Sequence, residues 1–187
     1  AANDPDTTLD LYVLSYNSNK NLNKASTSLK NNLQSYINQY RMIGDTVNIK
    51  DAFIININCT FDIITLPNYN NSEVLFSCIT ALTNYFNIDN WQINQPIILR
   101  DISILLDAID GVQTVANINI ENKAGVNVGY SEYAYTISGA TQGGIIYPSI
   151  DPMIFEVKYP STDIKGRVVS MGTGTFQQGT GTALGGY

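Results

Sequence analysis

The sequence predicts an α+β fold, a ferredoxin-like sandwich of an antiparallel or mixed sheet with helices on one face, followed by a C-terminal β-rich arm. Three observations lead there. The longest period-two alternation of apolar residues in the chain runs over residues 53–64. Two stripes with helical spacing, each with start and stop signals, separate it from a second alternation that begins at Val112. Past Lys123 the composition turns to Gly, Tyr, Thr and Ser. The expected organisation is a sandwich domain over residues 9–123, a β-rich arm or small lobe over 124–170, and a Gly/Thr-rich tail over 171–187.

Residues 9–16 are β-formers placed ahead of the turn-rich Asn17-Ser18-Asn19-Lys20-Asn21, which predicts a short first strand. Leu29, Leu33, Tyr36, Ile37 and Tyr40 then recur as the stripe of an amphipathic helix lying on a sheet, with Ser26 or Ser28 as N-cap and Gly44 as the stop. In the long alternation Phe53, Ile55, Ile57, Cys59, Phe61 and Ile63 point one way, and Ile54, Asn56, Asn58, Thr60, Asp62 and Ile64 the other. Burying the first set is worth about 1.5–3 kcal/mol per side chain, which puts this strand at the centre of the core.

Leu66-Pro67-Asn68-Tyr69 ends that strand. Asn70, with Glu73 three residues on, resembles a capping box and opens a helix that carries Leu75, Cys78, Ile79, Leu82, Tyr85 and Phe86 on one face and ends near Asn87. Pro96 takes the first position of the next predicted helix, Ile98, Ile102, Leu105 and Ile109 form its stripe, and Gly111 stops it. Thr114, Ala116, Ile118 and Ile120 then alternate as a strand. Farther on, residues 130–137 and 154–159 also read as strands. Between them Ile145-Ile146-Tyr147-Pro148 is too apolar for a free loop, so it either packs on its own domain or forms an adhesive segment for a partner. The candidate interface is therefore Ile145, Ile146, Tyr147, Ile154 and Phe155. The tail has few core formers and is expected to order only when something holds it.

Composition narrows the function. The chain has no histidine, which removes the commonest general base and metal ligand. Its net charge of -6, with the closest basic run (158–167) diluted, argues against a nucleic-acid or anionic-membrane surface, because either needs clustered cations. No stretch reaches the roughly 20 apolar residues of a membrane span, and residues 1–6 lack the pattern of a signal peptide. A start at Ala1 fits a processed chain or a piece of a longer one.

Cys59 and Cys78 read as reduced core thiols, too few for a metal site without His. Gly172-Thr173-Gly174 lacks the following helix start and Lys-Ser or Lys-Thr pair of a phosphate loop. Asp101 complements a helix dipole and Asp110 precedes a turn glycine. Nothing brings Asp62, Glu73 and Glu132 together as a hydrolytic pair requires. Trp91, the single tryptophan, fits a wedge under the sheet end better than a partner anchor. The 12 tyrosines suit packing and interfaces equally. The expectation is a non-enzyme with no metal, cofactor or small-molecule substrate.

Several ordered segments carry a resemblance: Asn48-Ile49-Lys50-Asp51-Ala52-Phe53, Trp91-Gln92-Ile93-Asn94-Gln95-Pro96-Ile97-Ile98, Asp110-Gly111-Val112-Gln113, Tyr147-Pro148-Ser149-Ile150-Asp151-Pro152 and Phe155-Glu156-Val157. Together they resemble the baseplate wedge subunit of T4-like contractile-tailed bacteriophages, related to the baseplate-J-like proteins, over residues 9–169 and within the C-terminal part of a longer protein. That resemblance implies a structural protein of the virion tail baseplate, assembled in the host cytoplasm. In it, paired copies clamp neighbouring wedges into a ring around the hub, with itself and other wedge proteins as partners. The family pattern supplies no catalytic residue to carry over.

Two other classes remain in play. A host-surface or glycan-binding module of a phage tail needs a concave aromatic pocket, and a tail-associated hydrolase needs converging carboxylates. An assembly subunit needs an extended contact surface with neither.

Overall fold

The computed structural model describes residues 8–40 and 46–170. The expected helix stop at Gly44 and the tail over 171–187 lie outside the described residues. In chain order the elements are β1 (Thr8–Val13), β2 (Ser15–Tyr16), β3 (Leu22–Asn23), α1 (Thr27–Ile37), β4 (Thr46–Asp51), β5 (Phe53–Thr65), α2 (Asn71–Tyr85), β6 (Ile97–Ile98), α3 (Leu99–Asp107), β7 (Val112–Lys123), α4 (Ile137–Ala140), β8 (Thr141–Gln142), β9 (Ile145–Ile146), β10 (Met153–Glu156), α5 (Pro160–Asp163) and β11 (Ile164–Val168). The fold is α+β with a mixed main sheet, as its alternations and stripes predict. No described helix is long and apolar enough to cross a membrane.

β5 organises the main sheet. Along one edge β7 runs antiparallel, from Asn56 opposite Lys123 to Thr65 opposite Val112. Along the other edge β10 and β11 follow one another, both parallel to β5, at Phe53–Asn56 and Cys59–Ile63. Hydrogen-bond parity fixes this arrangement, because polar groups of alternate strand residues point to opposite edges. Phe53 N–H donates to Pro152 O (2.9 Å) and Val169 N–H to Ile63 O (2.8 Å), so odd residues serve the β10–β11 edge, whereas the Asn122 amide reaches Asn56 O (2.9 Å) from β7.

The predicted inward set is largely in place. Ile55, Ile57, Cys59, Phe61 and Ile63 are buried and Phe53 is half-buried, against Val74, Cys78, Leu82 and Phe86 of the α2 segment and Ile102 and Leu106 of α3. Ile54, Asn56 and Asn58 are buried too, because the second face is covered over the first half of the strand. Two register shifts in the β5–β7 pairing leave Ala116 and Gln113 exposed, which interrupts the expected alternation of β7.

Local chemistry sets the helix starts. Asn70 caps α2, its Oδ1 accepting from Ser72 N–H (2.9 Å), and Ser26 caps α1 by accepting from Leu29 N–H (3.2 Å). Helix α3 begins at Leu99 and not at Pro96, because Ile97 and Ile98 are drawn into a strand against β9. Trp91 is buried, donates its indole N–H to Tyr85 O (3.0 Å) and stacks on Phe86 at 5.8 Å. The thiols of Cys59 and Cys78 are free and buried, and desolvation pushes them up to about 12 and about 11.

Residues 124–170, expected from sequence as a β-rich arm or small lobe, are built into the main sheet. They supply two strands of the central sheet, and every residue of β10 is buried. Residues 130–136 form no strand. Two of their N–H groups are taken by side-chain amides, Ser131 N–H donating to Asn56 Oδ1 (2.6 Å) and Tyr135 N–H to Asn122 Oδ1 (2.9 Å), and that of Tyr130 turns back to Gly125 O (3.0 Å). The hexapeptide at 91–96 anchors β10, since Asn94, at φ 61°, exchanges two hydrogen bonds with Met153: N–H to Met153 O (2.7 Å) and Oδ1 from Met153 N–H (2.9 Å).

Gly166 lies opposite Phe61, and a Cβ there would meet Phe61 Cζ at 2.3 Å and Leu75 Cδ1 at 2.7 Å, so the missing side chain is what lets α2 settle onto the sheet. Gly166→Ala should lower stability by about 1–3 kcal/mol, the range for overpacking, measured from the urea midpoint. Deleting residues 139–159 should abolish cooperative unfolding of the whole chain in circular dichroism, whereas a detachable arm would leave the transition intact.

Candidate functional site

Of the five residues picked from sequence as an interface, three are core. Ile146, Ile154 and Phe155 are buried, Ile145 is half-buried and Tyr147 alone is exposed. Ile145 and Ile146 pair with Ile98 and Ile97 of β6 and with Gln142 and Thr141 of β8. Ile154 and Phe155 pair with Ile54 and Ile55 on the edge of β5. Tyr147 is held through its backbone, its O accepting from Tyr135 Oη–H (2.6 Å). An apolar segment flanked by glycines reads the same whether it completes its own sheet or waits for a partner. Here the open edges of β5 and β6 claim it.

One exposed apolar stripe lies elsewhere, on α1 and the turn after it. That helix packs on the parallel pair β1–β4 through Lys30, Leu33, Gln34 and Ile37, all half-buried, with Gln34 Nε2 donating to Val47 O (2.7 Å) and Lys30 Nζ meeting Asp51 Oδ2 (2.5 Å). The predicted stripe is thereby split, with Leu33 and Ile37 toward the sheet and the rest toward solvent. Leu29, Tyr36 and Tyr40 are 48%, 59% and 72% exposed, and the two tyrosine rings rest against each other at 5.1 Å. Leu9, on the outer strand of the same pair, is also exposed. Asn31, Asn32, Ser35, Asn38 and Gln39 surround the stripe, and the one charged side chain of α1, Lys30, is paired with Asp51.

A second feature is a cavity of about 410 Å³ where residues 22–24, the start of β5, residues 126–133 and the end of β10 meet. Glu156 lines it and is 4% exposed, with Oε1 accepting from Leu22 N–H (2.6 Å) and Oε2 from Asn56 Nδ2–H (2.7 Å). Burial pushes its carboxyl up from the ordinary range, against the pull of those two donors. At the rim Glu132 pairs with Lys24 (2.6 Å), whose hydrogen bond holds Glu132 down, and Lys24 Nζ lies 5.1 Å over the Tyr133 ring. Beside it the buried Asp163 accepts from Tyr130 Oη–H (2.6 Å) and Tyr159 N–H (2.9 Å). Desolvation and that hydrogen bond raise the Tyr130 phenol to about 12.

The acids weighed for hydrolysis stay apart. Asp62 faces a different depression and is bound by Arg167 through two contacts of 2.5 and 3.0 Å, Glu132 is bound by Lys24, and Glu73 stands in the first turn of α2. Glu156 and Asn56 were not singled out in the sequence. Their only signal there is polarity inside apolar runs, Asn56 within 53–57 and Glu156 within 153–157. No protein-family model matches this chain, and a search of curated proteins finds no match either.

Glu156 gives the site a pH signature. Its folded pKa lies above the ordinary 4.5, so its contribution to stability is full below about pH 4.5 and is lost as pH rises through the folded value. Glu156→Gln, neutral throughout, should therefore lose less stability than the native chain in the window above pH 4.5. Urea midpoints that run parallel over that window would contradict the assignment.

Proposed function

We propose that this chain is a structural, non-enzymatic subunit of a phage tail baseplate, joining wedges into a ring around the hub through contacts with copies of itself and other wedge proteins. The observation that carries the reading is the solvent-facing stripe of Leu29 and Tyr36 on α1, continued by Tyr40 in the turn after it. Aromatic side chains with a polar tip are favoured anchors in protein interfaces. Its first occupant is a second copy of the chain: the chain carries a net charge of -6, and a helix whose one charged side chain is internally paired is where two copies meet with little repulsion. The segments that resemble the wedge family support the wider setting, and the main sheet supplies a stiff platform behind the α1 lobe.

A second reading, a host-surface or glycan-binding module, draws on a depression of about 390 Å³ on the open face of the sheet, lined in part by Thr60, Asn117, Asn119 and Arg167. Such hydroxyls and amides suit sugar hydroxyls. Phe61, its one aromatic lining residue, turns its ring to the opposite face beside Leu75 and is 1% exposed, so it offers no stacking face and this reading stands second.

Native mass spectrometry and sedimentation should show concentration-dependent pairing of the native chain. The double variant Leu29→Lys, Tyr36→Lys should weaken it at least tenfold, about 1.4 kcal/mol, while circular dichroism stays unchanged. A native chain that stays monomeric and ignores wedge proteins, but responds to glycans, would favour the second reading.

A further inference from the structure

We propose that the cavity at Glu156 receives a guanidinium group, an inference that does not depend on the baseplate reading. A carboxylate removed from water is costly unless a cation and hydrogen bonds compensate it. Glu156 is 4% exposed, yet none of the four ion pairs among the described residues includes it. Each of its oxygens accepts one hydrogen bond, from Leu22 and Asn56, which leaves further acceptor capacity on both.

The surroundings favour a cation with an aliphatic stem. Tyr130 and Tyr133 line the cavity, and the Tyr133 ring already has the Lys24 ammonium 5.1 Å above it. Neither cation of the lining pairs with Glu156: Lys24 is bound by Glu132, and Lys158, over the Tyr159 ring at 5.8 Å, acts on Glu156 only from a distance. About 410 Å³ is more than one planar head group fills, and Ile54 and Val126 give the remaining space an apolar side. A guanidinium fits better than an ammonium, because its fork addresses both carboxylate oxygens, it stacks on aromatic rings and it gives up water more readily. The group arrives either as a free small cation or as the arginine side chain of a partner protein.

The test uses the full chain, labelled with ¹⁵N, and reads the backbone amides of Leu22 and Ser131, which are hydrogen-bonded to Glu156 and Asn56. Methylguanidinium should shift both saturably, and its neutral isostere methylurea should not. Glu156→Gln should weaken the response at least tenfold. Val126→Trp, which fills the rim from a position 69% exposed, should do the same and serves if the first variant unfolds. An Ala-Arg-Ala peptide that binds tenfold tighter than methylguanidinium identifies a partner's side chain, and equal affinity identifies the free cation. No saturable shift, an equal response to methylurea, or native-like binding by the folded variants overturns the proposal.

Discussion

A strand of thirteen residues buried along most of its length needs hydrogen-bond partners on both edges and cover on both faces, and β5 imposes that demand on the rest of the chain. One edge is met by β7 alone, in a pairing broken by two register shifts. The other is met in two instalments, β10 and then β11, with the short helix α5 between them. Helices α2 and α3 cover one face, and the approach of α2 depends on the absence of a side chain at Gly166.

What strands leave unsatisfied is completed by polar side chains. Asn56, Asn94 and Asn122 act as stand-ins for backbone, each accepting from or donating to a main-chain group of a distant segment. Glu156 does the same for Leu22 across 134 positions of sequence, and Asp163 for Tyr159. An asparagine amide offers both a donor and an acceptor without the desolvation cost of a charge, which suits it to a buried join of this kind. The Asn-rich composition thus has a structural use inside the domain as well as on its surface.

Much of this was legible in the sequence. The inward set of β5 follows from strict alternation, and α2 from a stripe with a cap at Asn70, because both signals are local. The α1 stripe was equally legible, but the side on which it would lie was not: Lys30 and Gln34 bind Asp51 and Val47, and those long-range contacts turn the helix by its polar flank. Pro96 looked like a helix start because nothing local reveals that Ile97 and Ile98 pair with residues nearly fifty positions later. Residues 130–136 have strand composition, yet the amides of Asn56 and Asn122 take two of their N–H groups first. Ile146, Ile154 and Phe155, expected at an interface, are buried for the same reason, since strand pairing across 49 residues for Ile146 and 100 for Ile154 and Phe155 has no signature in either segment alone.

The two-instalment edge also bears on how the domain is made. Residues 153–168 must travel back to Phe53–Ile63, so β5 stays half-zipped until about a hundred further residues have been made. Such distant closure slows folding and leaves a long apolar ribbon with raw polar groups on one side, a ready template for foreign strands. A nascent chain of this sequence has a reason to be shielded until β11 emerges, and proteolytic trimming inside α5 would reopen that seam on an otherwise finished molecule.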